Sequence, residues 1–312
     1  MLSAIDPVVK YSLIGIFAVL IISSAITYFL TKQNPEKDYH ELASRIKTWW
    51  IMVAVFSVAI ALNKTISIVF FALISFLALK EYLSLIPTRR ADHRVLFWAY
   101  LAIPIQYYFI GIEWYGMFAI FIPVYVFLFL PFRAVTIGET SGYLNAMATL
   151  HWGLMVTVYC ISHVGFLLVL PPDGAGQVGG AGLVLFLVVL TQLNDVAQYV
   201  SGKMFGKTPI IPKVSPKKTW EGFSGGVLTT TVLATVLSTF LTPLSPSEGA
   251  IAGLIIAGFG FIGDVTISAI KRDLGIKDSG TLLPGHGGIL DRIDSLTYTA
   301  PLFFHYIRYL YY

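Results

Sequence analysis

The sequence predicts an all-α, polytopic membrane protein with about nine or ten transmembrane helices. Three observations lead there. Only 12% of the 312 residues are charged and 56% are hydrophobic, with a mean hydropathy of +0.76; a soluble domain carries about 25% charged residues. Apolar runs of about 20 residues, the length a helix needs to cross a bilayer, recur from end to end. The basic residues fall almost entirely in alternate loops between those runs.

Taken in order, the first run extends from about Tyr11 to Leu30. It exceeds the apolar core of a secretory signal, about 7–15 residues, and no small-residue cleavage site follows, so it reads as a retained span. Further runs centre near Val55, Ile74, Ala102, Pro123, Thr157, Val189, Val232, Ala257 and Ala300. Asn63 and Lys64 alone part the second run from the third, which makes that pair a tight hairpin or a re-entrant element.

Charge sets the orientation. Lys32, Lys37, Arg45 and Lys47 share one loop, Arg89, Arg90 and Arg94 the next of the set, and Arg133 the third. Lys203, Lys207, Lys213, Lys217 and Lys218 occupy the fourth, and Lys271, Arg272, Lys277 and Arg292 the fifth. Seventeen of the 21 basic residues are thereby accounted for, and the positive-inside rule puts all five loops in the cytoplasm. Trp49, Trp50, Trp98, Trp114 and Trp220 near run ends fit an interfacial aromatic belt. The lone Cys160 excludes an intramolecular disulfide and a cysteine-based metal site.

The two halves differ. Residues 1–170 read as a scaffold of transmembrane helices, and residues 171–312 as a catalytic transmembrane domain with long, basic, glycine-rich cytoplasmic loops. An acidic residue inside a span is costly and usually faces a protein cavity with a function. The seventh run carries Thr191, Asn194, Asp195, Gln198 and Gly202 along one helical face, and the ninth carries Asp264, Ser268 and Lys271 at i, i+4 and i+7. The last begins with Asp291 and Asp294 one turn apart. Asp195 and Asp264 each precede a basic loop by about six residues, roughly 9 Å of helix. Three helices therefore present carboxylates at one level on one side. Glu81, Asp92 and Glu139 read as solvated boundary charges, and His151, His163 and His305 as packing residues.

Carboxylates beside lysines suit magnesium, which takes a few hard oxygen ligands and keeps positions open for phosphates. Phosphoryl and nucleotidyl transfer use that ion together with cationic side chains on the phosphate oxygens. The segment LLPGHGGILDRIDS supplies a glycine-rich turn before a helix start, and GKTPIIPKVSPKKTWEGFSGG supplies lysines held among prolines. A cation-coupled transporter would also place carboxylates in spans, but it predicts polar residues on both sides and inverted repeats.

These segments resemble the phosphatidate cytidylyltransferase, or CDP-diacylglycerol synthase, family. SAIKRDLGIKDSGTLLPGHGGILDRID, residues 268–294, is similar to that family's signature without a gap, and KVSPKKTWEGFSGG and LNDVAQYVSGKMFGKTP resemble upstream parts of the same domain. Together they cover about residues 190–295. The Asn194–Asp195 pair and the bulky Gln198 depart from many bacterial members, which leaves the lipid acceptor open. The resemblance implies that CTP and phosphatidic acid, or a related lipid phosphate, give CDP-diacylglycerol and pyrophosphate. It implies a Mg2+ cofactor and the metal ligands Asp264 and Asp291; Asp294, one turn on, is a further candidate ligand for that ion's surroundings or for a second cation. Lys271, Arg272 and Lys277 join Asp264 and Asp291 as the expected catalytic groups. Asn194, Asp195, Ser215, Lys217, Lys218, Thr219, Ser268, His286, Gly287, Gly288 and Arg292 are the expected substrate contacts. The expected partners are CTP, the lipid substrate and membrane lipids, with no nucleic acid and with a homodimer left open. The expected location is the bacterial inner membrane, with the site facing the cytoplasm.

Overall fold

The computed structural model describes residues 7–33, 39–87, 89, 92–170, 179–283, 285 and 287–312. They form helices and one short hairpin. The first four helices are α1 (Pro7–Gln33), α2 (His40–Leu62), α3 (Lys64–Leu85) and α4 (His93–Gly111). Two broken passages follow. In the first, α5 (Tyr115–Ile120) runs through a π-helical turn, Phe121–Val126, into α6 (Phe127–Val135). In the second, α7 (Tyr143–Leu154) runs through another, Met155–Tyr159, into α8 (Cys160–Leu167). The second half contains α9 (Gly179–Phe205), the strands β1 (Pro209–Ile211) and β2 (Ser215–Thr219), α10 (Trp220–Leu241), α11 (Pro246–Asp273), the single turn α12 (Leu290–Ile293) and α13 (Leu296–Tyr311).

Eight of these helical passages are long and apolar enough to cross a membrane, so the chain is an all-α polytopic membrane protein. The 19-residue α4 and the 16-residue α13 complete ten passages at the ten predicted positions. Asn63 turns α2 into α3 as a hairpin between two full helices: its extended backbone breaks the first, and its Oδ1 accepts the Ile66 N–H at 2.8 Å to cap the second. Pro123 lies within the first π turn; a residue with no N–H to donate displaces the i→i−4 ladder, and the wider turn absorbs the fault. At the second, Thr157 donates back to the Gly153 carbonyl at 2.7 Å.

Helix starts in the second half follow their sequence signals. Thr219 caps α10 by accepting the Gly222 N–H at 3.2 Å. Ser245 and Glu248 form a capping box for α11, with Pro246 in its first turn. β1 and β2 pair antiparallel, Pro209 opposite Thr219 and Ile211 opposite Ser215, so the basic loop with its lysines held among prolines is a hairpin. α9, α10, α11 and α13 pack together. Gly263 has no side chain to hold α11 away from the backbone of Asp294 and Ser295, which brings Asp264 beside the start of α13.

Side-chain contacts between loops place the five basic loops on one face of the bundle. Gly285 lies against Ser44 and Arg45, and Ser279 bonds to Glu81. Arg89 bonds to the Ser141 carbonyl, and Arg272 donates to the Val214 carbonyl at 3.1 Å. The opposite face has its own ties. Lys64 meets Glu113 at 2.5 Å, Tyr311 donates to the Pro243 carbonyl at 3.0 Å, and the Arg308 guanidinium lies 3.6 Å over the Tyr115 ring.

Candidate active site

Of the four carboxylates expected at one level, Asp195, Asp264 and Asp294 gather, and Asp291 does not join them. Asp294 feels the charges of both Asp264 and Asp195, and Asp195 feels that of Asp264. Each is steadied by a hydroxyl or an N–H. Ser268 donates to Asp264 Oδ1 at 3.2 Å, Ser295 donates to both oxygens of Asp195 at 3.1 Å, and the Ser295 N–H donates to Asp294 Oδ1 at 2.8 Å. Lys218, delivered by β2, answers this negative charge. Its Nζ lies 2.6 Å from Asp264 Oδ2 and 3.3 Å from Gln198 Oε1, and 5.7 Å from the centre of the Phe261 ring. Burial alone would pull the ammonium's pKa down, but the carboxylates of Asp264, Asp195 and Asp294 outweigh it and hold it above the ordinary lysine value. Arg292 contributes charge to the same group from one turn of α12.

Asp291 stands apart from this cluster in its bonding. Its Oδ1 pairs with Lys271 Nζ at 2.8 Å, and its Oδ2 accepts the N–H groups of Ser279 at 2.8 Å and Gly288 at 2.9 Å. The residue lies in the turn ahead of the last span. Burial raises its pKa, and the Lys271 ammonium with the two N–H donors more than reverses that, so the carboxyl sits below its usual range. Among the described residues, no three His, Cys, Asp or Glu side chains converge as tightly as ligands around a bound ion do.

A cleft of about 450 Å³ opens beside Lys218. Gln198, Lys203, Ser215, Lys217, Lys218 and Thr219 supply its polar wall, and the rings of Tyr199 and Phe223 flank it. Its volume lies within the range of small-molecule sites. Lys203 comes from the last turn of α9 and Lys217 and Lys218 from β2, so a helix end and a hairpin bring three lysines to the lining of one space.

The remaining predicted residues take varied places. Asn194 is fully buried and spends its amide between helices: Oδ1 accepts from Thr230 at 3.1 Å and Nδ2 donates to the Ala257 carbonyl at 3.4 Å. The structure thus makes it a tie between α9, α10 and α11. The Arg272 guanidinium is engaged by the carbonyls of Val214 and Ile276, both at 3.1 Å, bracing the hairpin against the loop after α11. Lys277 is exposed. His286 lies outside the described residues. Gly287, at φ +80°, and Gly288 do admit close approach, but of protein carboxylates: a Cβ on Gly287 would strike Asp291, and one on Gly288 would strike Glu81.

Two acidic residues read as solvated are not. Asp92 is buried and held by Arg89 through two bonds, at 2.7 and 2.8 Å. Glu81 reaches from α3 into the signature segment. It accepts from the Ser279 hydroxyl, from the Ile289 N–H at 2.9 Å and from the Leu290 N–H at 3.0 Å. Two of these donors are backbone groups and all three lie some 200 positions away, which leaves no pattern around Glu81 in the sequence. His163 meets the packing expectation: it is fully buried among Phe118, Tyr159 and Phe304.

Comparison with known proteins adds relatives to this geometry. A family model described as "Cytidylyltransferase family" matches residues 43–310. The chain is 48% identical over 298 residues to the uncharacterized protein YnbB of Escherichia coli K12, covering 96% of this chain and 98% of that one. It is 40% identical over 161 residues to the phosphatidate cytidylyltransferase of Mycobacterium leprae, which is 51% of this chain and 49% of the relative. The phosphatidate cytidylyltransferase of Haemophilus influenzae is 43% identical over 132 residues, 41% of this chain and 46% of the relative. The matches to proteins with a named activity thus span about half of their length.

Proposed function

The chain belongs to the cytidylyltransferase family, and we propose that it transfers a cytidylyl group from CTP to a lipid phosphate, phosphatidic acid, forming CDP-diacylglycerol and releasing pyrophosphate. The observation that carries this reading is the lysine-lined cleft of about 450 Å³ set against the Lys218–Asp264 pair. A triphosphate needs cations on its oxygens and a wall that fixes its register. Lys203 and Lys217 meet the first need, and Ser215, Thr219 and the flanking rings meet the second.

In the proposed reaction a lipid phosphate oxygen attacks the α-phosphorus of CTP in line. The new P–O bond forms as the bond to the β-phosphate oxygen breaks, and pyrophosphate leaves with the electron pair. The attacking oxygen is already anionic at neutral pH, so no residue is required to take a proton. Lys218 would stabilise charge on the reacting phosphates while the serine and threonine hydroxyls hold their orientation.

The donor chemistry suits magnesium: Asp195, Asp264 and Asp294 offer hard carboxylate oxygens in one neighbourhood, beside Lys218 and Arg292. Asp264 and Asp294, with Asp195 beside them, are the residues that would hold it, and Asp291 could join them only by giving up Lys271. When bound, the ion would neutralise charge on the transferring phosphate. The five basic loops would face the cytoplasm of the inner membrane, so CTP would enter from solution and the lipid from the adjoining leaflet.

The test is direct. Purified protein in lipid nanodiscs is given CTP and phosphatidic acid, and the CDP-lipid is measured by mass spectrometry with magnesium or with EDTA. Product is expected only with magnesium, and Asp264→Ala is expected to abolish it without loss of membrane insertion. Undiminished product from Asp264→Ala would remove the site assignment. The full-length relative YnbB has no named substrate, so the assay is repeated with other lipid phosphates; product from one of these and none from phosphatidic acid would move the acceptor and keep the chemistry.

A further inference from the structure

Two carboxylates grip the segment between Ser279 and Leu290, and only one belongs to the signature that carries it. Asp291 Oδ2 takes the N–H groups of Ser279 and Gly288. Glu81 takes the hydroxyl of the same Ser279 and the N–H groups of Ile289 and Leu290, the two residues that follow Gly288. The two ends of the segment are thus closed on each other twice, once from within and once from α3. Gly280 and Gly288 lie against the Glu81 carboxylate where a side chain would collide with it. Leu283 donates its N–H to the Gly287 carbonyl at 2.9 Å and closes the intervening turn. The described hydrogen-bond partners of the Glu81 carboxylate are N–H or O–H donors within this one segment.

We infer that Glu81 is a positioning residue for the reaction: from the N-terminal half, it fixes the 279–290 segment so that Asp291, Lys271 and the Asp294 turn keep their places. A carboxylate that accepts several N–H bonds holds a loop more firmly than neutral acceptors do, because charge-assisted bonds are about twice as strong. The segment carries Asp291 directly and leads into Asp294, so slack in it reaches the carboxylate cluster. The lysine-lined cleft is built from α9, β2 and α10 and does not depend on it. Glu81 therefore governs turnover more than nucleotide affinity. This kinetic claim rests on the proposed cytidylyl transfer; the claim that Glu81 holds the segment does not.

The experiment compares wild type with Glu81→Ala and the milder Glu81→Gln, which keeps one carbonyl acceptor, in nanodiscs. Hydrogen–deuterium exchange is read in peptides covering 279–290 and, as an internal control, 206–219. Exchange is expected to speed up in the first set and to stay unchanged in the second. In the CTP assay, kcat is expected to fall about 10- to 100-fold for Glu81→Ala, the loss typical of residues that orient a site, with Glu81→Gln intermediate and KM for CTP nearly constant. Unchanged exchange over 279–290 in Glu81→Ala would overturn the inference, as would faster exchange with wild-type kcat, or a loss confined to KM. If wild type forms no CDP-lipid, the function reading fails by itself, and the exchange result alone decides whether Glu81 holds the segment.

Discussion

Lys218 and Asp264 meet at 2.6 Å across two elements that are far apart in the chain, a hairpin strand and a transmembrane helix. The pair joins the nucleotide-sized cleft to the carboxylate cluster, since Lys218 lines the first and answers the charge of the second.

Replacing Lys218 with methionine should therefore damage both. The expected loss in kcat/KM is about a hundredfold or more, the effect of removing one preorganised donor, and CTP binding should weaken in a direct titration. The pH behaviour follows from the sign of the shift. A lysine whose folded pKa is raised contributes fully below its unfolded value, about 10.4, and loses that contribution as pH rises through the folded one. The difference in melting temperature between wild type and Lys218→Met should stay level from about pH 7 to pH 9 and change only at stronger alkali.

Asn194→Ala should behave as a packing mutant. It removes the bonds to Thr230 and Ala257 inside the helix bundle, and such interhelical bonds are worth about 0.6 kcal/mol on average. A lower melting temperature is expected, with KM for CTP unchanged in the molecules that remain folded. A large rise in KM would restore the substrate contact that the sequence suggested.

Gly288→Ala should destabilise the signature segment, because its methyl group would occupy the place of the Glu81 carboxylate. The cost is expected at about 1–3 kcal/mol, the usual range for overpacking. It should be smaller in a Glu81→Ala background, where the space is free. A thermal double-mutant cycle measures that coupling, and strict additivity would count against the contact.

The shared face of the five basic loops predicts a labelling pattern. In a Cys160→Ser background, single cysteines at Lys213, Lys277 and Thr136 should react with an impermeant thiol reagent from one side of sealed vesicles. Cysteines at Glu113 and Ser247 should react only from the other. Mixed labelling within either group would break the topology.

Much of this was legible because it depends on local chemistry. Each of the ten helical passages is an apolar run, and the Ser245–Glu248 box and the Asn63 turn are written in adjacent residues. The shared level of Asp195, Asp264 and Asp294 could be read from helical spacing, but the same spacing placed Asp291 with them. Partner choice could not. Lys271 was expected on phosphate and is paired with Asp291, while Lys218, one of five basic residues in its loop, reaches Asp264 through a hairpin that the sequence did not foretell. Asn194 looked as available as Asp195, because adjacent positions on a helix differ in exposure only after neighbouring helices dock. Glu81 was hidden for a different reason: besides the Ser279 hydroxyl its partners are main-chain amides, and every residue but proline has one.

The stitching of one loop to another on the basic face has a mechanical consequence. Ser279 is tied to α3, Arg272 to the hairpin, and Arg89 to the turn before α7. No one of these turns can lift as a flap without first letting go of its neighbour. Loosening any one of them would therefore slacken the next, so the basic face responds to a local change as a linked set.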